Sequence, residues 1–137
     1  MTAQTILGPV VIGVLFIVGG VVMLVIATRI RAGRLPRNRW AGMRTSAAMR
    51  SDEAWDAAQR ATLPSLWVGG PVLIALGVVD VGIGIAGGPD SVVIALSVVA
   101  IAVVIAMAIF QLVKGTAAAN AADPDRRGPH AAARGAE

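Results

Sequence analysis

Residues Ile6 to Thr28 read ILGPVVIGVLFIVGGVVMLVIAT, 23 positions without a charged side chain. As a helix this run is about 34 Å long at about 1.5 Å per residue, enough to cross a hydrocarbon layer of about 30 Å. No other feature narrows the fold so far. A secretory signal would carry a basic n-region and a shorter apolar core of about 7–15 residues. This run has its positive charge after it, so the sequence predicts a retained anchor with the N-terminus outside. Two further runs follow, Leu63 to Ala86 and Val92 to Val113, the latter with only Ser97 and Gln111 as polar residues. Between them lies the short turn GGPDS at 87–91, which fits a tight hairpin between antiparallel helices. The chain is 56% apolar with a mean hydropathy of +0.75, above the usual range for soluble domains, and that excess sits in these runs. The predicted fold class is an all-α membrane protein with three transmembrane helices, spanning about 6–28, 63–86 and 92–113. One membrane domain covers 1–114.

The connection at 29–62 carries eight arginines against Asp52, Glu53 and Asp56, leaving +5 in a chain whose net charge is +4. By the positive-inside rule this loop faces the cytoplasm, and three crossings then put the C-terminus there too. The expected location is a bacterial plasma membrane, to which the Ala, Gly, Val and Arg bias of a GC-rich genome adds a compositional hint. Gly33 and Pro36 interrupt a helix early in the loop. Ser51 reads as an N-cap, with Asp52 and Glu53 in the first turn, where the helix dipole favours acids. Ala54, Trp55, Ala58, Ala61 and Thr62 recur at helical spacing, which predicts a short amphipathic interfacial helix over 51–62, separate from the second span. Pro64 suits that span's first turn. Residues 115–137, rich in Ala, Pro and Gly, predict a disordered cytoplasmic tail in which Arg126 and Arg127 are solvated, contact with anionic lipid being the alternative.

Gly13, Gly20 and Ala27 recur every seven residues, as do Gly70, Gly77 and Gly84. Small stripes of this kind let backbones approach in lipid. They predict antiparallel packing of the first two spans, with Ala95, Ala102 and Ala106 offering a similar stripe on the third. Asp80 is the one ionisable residue inside a span. It reads either as an interfacial acid near the outer end or as a ligand- or proton-binding site.

Enzyme chemistry finds little here. There is no cysteine, and the one histidine, His130, lies in the tail. Asp52, Glu53 and Asp56 are explained as first-turn charges. No metal site or cofactor is expected. The basic balance could suit nucleic acid, but the arginines border apolar spans and no nucleic-acid-binding fold accompanies them.

One constellation remains. Asn38, Gly42, Arg44 and Thr45 form Asn-x-x-x-Gly-x-Arg-Thr, and Trp55 follows eleven residues after the arginine. Asn and Gly suit tight turns. Arginine's planar fork suits carboxylates, phosphates or exposed carbonyls. Taken singly, Arg44 is one more loop arginine, and Trp40, Trp55 and Trp67 are membrane-belt residues. Together, between two spans, they resemble the signature of the SdpI family, small multi-pass bacterial membrane proteins. The resemblance covers about residues 15–110. Gln59 stands where the family often has His or Asn, Ala48 where it often has a second Thr, and Leu63 where Gly is common. The resemblance implies a non-enzymatic membrane protein that confers immunity to, or senses, an antimicrobial peptide. Its partners would be the lipid bilayer, a peptide toxin or a membrane protein, and a second copy of the chain. In that reading Arg44 and Thr45 pin the loop to helix-end carbonyls, Asn38 shapes the turn, and Trp55 wedges the surface helix against the bundle. A competing expectation is a small accessory or scaffold subunit of a larger transport or envelope-biogenesis complex. The small-residue stripes suit that equally.

Overall fold

The computed structural model describes residues 3–37 and 40–123, with side chains from Leu7 onward. It consists of three helices: α1 (Ala3–Arg31), α2 (Asp52–Ala86) and α3 (Asp90–Ala122), with no strand among the described residues. All three are long and apolar enough to cross a membrane. The protein is therefore a multi-pass membrane protein of the all-α class. Asn38, Arg39 and the chain from Pro124, including His130, Arg126 and Arg127, lie outside the described residues.

α1 and α2 meet along the glycine stripes. A Cβ placed on Gly13 would sit 2.6 Å from the Gly77 carbonyl oxygen, and one on Gly20 2.5 Å from that of Gly70. A Cβ on Gly84 would sit 2.8 Å from the Pro9 ring carbon Cβ. These pairings run in opposite directions along the two helices, so the packing is antiparallel. Backbone against backbone leaves no room for a methyl group. Each close atom pair gains about 0.1–0.2 kcal/mol of dispersion, and this sum replaces the hydrophobic drive that lipid cannot supply.

α3 packs on a second face of α2 and scarcely touches α1. Its contact stripe differs from the expected one. Ala95, Ala102 and Ala106 are exposed, while Val93, Ala100 and Met107 are buried at seven-residue spacing. Opposite them Leu66, Gly69, Leu73 and Asp80 form the matching face of α2, and Gly69 receives the Met107 side chain. A bulky knob into a glycine hole brings the helices together here, so a search for small residues on α3 finds the wrong face. Asp80 lies in this seam, 0% exposed, and not at an open interface.

The helix ends are locally encoded. α1 closes with Gly33 at φ 65°, Arg34 N–H donating to the Arg29 carbonyl and Gly33 N–H to that of Ile30. α2 closes identically, with Gly87 at φ 68° and bonds from Gly88 to Ile83 and from Gly87 to Gly84. Both are Schellman ends. Ser51 accepts from the Ala54 N–H at 3.1 Å and caps α2.

Two boundaries differ from expectation. Residues 52–62 are not a separate surface helix; they are the first turns of α2, which has 35 residues. Pro64 lies inside this helix, as does Pro71. At Pro64 the neighbouring hydroxyls bond back to the chain, Thr62 to the Gln59 carbonyl at 2.7 Å and Ser65 to that of Thr62 at 2.8 Å. α3 likewise runs past Lys114 to Ala122, so residues 115–122 are helical and not a disordered tail. At about 1.5 Å per residue α2 and α3 are each about 50 Å long, well beyond a hydrocarbon core of about 30 Å. Both excesses fall at the same end of the bundle, where α1 also finishes, and together they form a platform.

Candidate functional site: a folded plug on the helix ends

The loop between α1 and α2 is packed onto that platform. Its core comprises Ala27, Ile30, Leu35, Ala47, Ala48, Ala54, Trp55, Ala58, Leu66 and Ala119, drawn from all three helices and the loop. Trp55 is 1% exposed, so it is a core residue and not a belt anchor. Its indole N–H donates to the Leu35 carbonyl at 2.9 Å, fastening the start of the loop to α2. A buried indole needs such a partner, and a carbonyl just past a helix end supplies one. The other tryptophans differ: Trp40 is 92% exposed and Trp67 40%.

Gln59 makes the second fastening. Its carboxamide oxygen accepts the Met43 N–H at 3.0 Å, and its amide N–H donates to the Met43 carbonyl at 3.0 Å. One side chain thus reads one backbone residue from both sides, as a neighbouring strand would. Gln59 is 2% exposed, so these bonds satisfy a carboxamide that is shielded from water. The arrangement dictates Gly42. Its φ is +93°, and a Cβ there would sit 2.6 Å from the Gln59 amide oxygen. Both conformation and space therefore require glycine.

Thr45 has a local task. Its hydroxyl accepts the Ala48 N–H at 3.2 Å and caps a single turn closed by Met49 N–H on the Thr45 carbonyl at 3.1 Å. That turn pushes Ala47 and Ala48 into the core. The Arg44 side chain is exposed and lines a groove with Thr45, Ala108 and Gln111. Gly42, Arg44, Thr45, Trp55 and Gln59 thus belong to one folded unit, and Asn38 lies outside the described residues. Asp80 belongs elsewhere, in the α2–α3 seam near the hairpin. Among the described residues neither of its oxygens nor the Ser97 hydroxyl has a hydrogen-bond partner, and no His, Cys, Asp or Glu cluster could hold a metal.

Three residues that sequence reasoning passed over complete the plug. Gly115 gives way to Met43, whose Cε would lie 2.5 Å from a Cβ at that position. Ala119, one turn on, is fully buried. Arg50 reaches Asn120 at 3.2 Å and Asp123 at 3.3 Å, tying the loop to the end of α3. The small-residue spacing Gly115-x-x-x-Ala119 was the available signal. Arg37 pairs with Asp52 at 3.4 Å, but that aspartate is 82% exposed and the bridge contributes little.

The chain matches the model of the SdpI/YfhL protein family over residues 34–113, which takes in the loop from Arg34, all of α2 and most of α3. No curated protein and no solved structure matches it. With more than half of its length covered, including the Trp55–Leu35 and Gln59–Met43 bonds, this multi-pass membrane protein belongs to the SdpI/YfhL family.

Proposed function

We propose that this protein is a non-enzymatic immunity or sensor protein that protects its host against, or reports, an antimicrobial peptide acting on the membrane. Membership of the SdpI/YfhL family carries the reading, because the matched region contains most of the loop and its bonds from Trp55 and Gln59. The structure supports a recognition role in kind. Buried bonds from Trp55 and Gln59 hold the loop in one shape, so its outer face is a preformed surface. That face displays Arg44, Met49 and Arg50, and the loop also exposes Trp40. Arginine and tryptophan are the side chains that most often dominate binding energy at protein surfaces. The charge of the loop puts this face in the cytoplasm, with the α2–α3 hairpin outside. A peptide arriving from outside would meet the spans and the hairpin, and the plug would present the response inside.

The test is genetic. Deletion of the gene should sensitise the host to at least one membrane-active peptide, and the wild-type gene should restore resistance. Trp55→Ala, present in the membrane at wild-type abundance, should not. Unchanged sensitivity across a broad peptide panel would reject the immunity role.

A further inference from the structure

Because α1 and α3 both pack on α2 and scarcely on each other, an apolar groove of about 400 Å³ opens between them, lined in part by Gly19, Val22, Met23, Ile26 and Leu66. Met43 and Gln111 border it at the plug end. The same two residues border a second groove, of about 390 Å³, which carries Arg44 and Thr45 at its mouth and Leu112 along its side. Gln111 is therefore the hinge between an apolar slot and a polar mouth. It lies one turn inside Lys114, at the depth where hydrocarbon gives way to headgroups. Its side chain is half-buried and borders both grooves. A half-buried carboxamide at this depth offers a hydrogen-bond donor and acceptor to a lipid headgroup region that enters the grooves.

We propose that the paired grooves form a binding site for one anionic phospholipid of the leaflet beside the plug. The phosphate is held at Arg44 and Thr45, the glycerol esters at Gln111, and the acyl chains lie in the two grooves on either side of Met43. The charge fits, since the connection carries +5 and basic pockets between spans select anionic headgroups. The donors fit as well. Arginine's fork matches phosphate oxygens. The Thr45 oxygen accepts from Ala48, which leaves its own proton to donate. The esters offer carbonyl acceptors to the Gln111 amide. This site stands independently of the immunity reading.

Gly19 makes the site testable. A Cβ there meets nothing within 4 Å, so a side chain enters the groove without disturbing the protein. The full chain in mild detergent is incubated with micelles of equal phosphatidylglycerol and phosphatidylethanolamine, and retained lipid is counted by native mass spectrometry. The wild type should keep one phosphatidylglycerol in preference to phosphatidylethanolamine. Arg44→Gln should lower retention about tenfold, the value of one charge-assisted bond. Gly19→Leu should abolish it with an undiminished thermal midpoint, and Lys114→Gln, outside both grooves, should leave it unchanged. Equal retention of the two lipids, or of phosphatidylglycerol by Gly19→Leu and wild type, overturns the proposal. So does an equal loss in Lys114→Gln, which would reduce the effect to bulk charge. A wild-type dimer that Gly19→Leu dissolves would assign the groove to a second copy instead.

Discussion

Replacing Gln59 with leucine separates the packing of the plug from its hydrogen bonding. Leucine keeps the side chain's approximate bulk and apolar contacts. It removes both bonds to Met43, leaving that residue's N–H and C=O without their partners beneath the loop. Each orphaned buried backbone group costs about 1–3 kcal/mol. Leucine's easier burial offsets part of this, so a net loss of about 3 kcal/mol is expected. The loss falls on the loop first, because Gln59 is one of its two deep fastenings and the three helices have their own contacts. A loss of about 3 kcal/mol raises the fraction of open loop about 150-fold. The assay is limited trypsin digestion of the purified protein in detergent, following cleavage after Arg44 and Arg50 while the helices stay intact. Faster cleavage by about two orders of magnitude is the expected result. A rate within twofold of wild type would show that the loop is not held by the Met43–Gln59 pairing, and the account of Gly42 would fall with it.

Gly77→Ala should destabilise the protein by about 1–2 kcal/mol in thermal unfolding, because overpacking against the Gly13 backbone outweighs alanine's better helix propensity. Gly82→Ala, where a Cβ meets nothing, should be neutral or stabilising by up to about 1 kcal/mol. Arg50→Ala should cost about 1 kcal/mol, since the arginine is 41% exposed, and should speed hydrogen exchange over residues 115–122 about fivefold. Asp80→Leu removes a fully buried acid whose oxygens have no partner. It should raise stability by about 1–2 kcal/mol in a denaturant titration, and a decrease would show that the acid is structurally bonded in the membrane.

The spans were legible because hydrocarbon demands long uncharged runs, and the α1–α2 seam because a heptad of glycines has few other uses. Ser51, Gly33 and Gly87 declared the helix ends through purely local chemistry. The plug was legible only as a motif. Its fastenings join residues 20 and 16 positions apart, Trp55 to Leu35 and Gln59 to Met43, and no periodicity reports such pairs. Pro64 was misread because proline usually opens helices. Here the preceding turns are buried under the loop, and that burial carries the helix through. Residues 115–122 were misread because an alanine-rich stretch looks too plain to fold. Alanine is the best helix former, and beside a loop with no room to spare its small size is what packing requires. Thr45 was expected to act on helix-end carbonyls; its hydroxyl caps its own turn instead, and long-range bonds come from Gln59, Trp55 and Arg50.

Whether the plug sits on the cytoplasmic side, as the loop charge predicts, can be tested directly in the native chain, which has no cysteine. Ser46→Cys places one thiol on the exposed surface of the plug, and Ser91→Cys one beside the hairpin. Intact cells are treated with a membrane-impermeant maleimide, then permeabilised and treated again. Labelling of position 91 in intact cells, with position 46 labelled only after permeabilisation, is the predicted pattern; position 46 reacting in intact cells would contradict it.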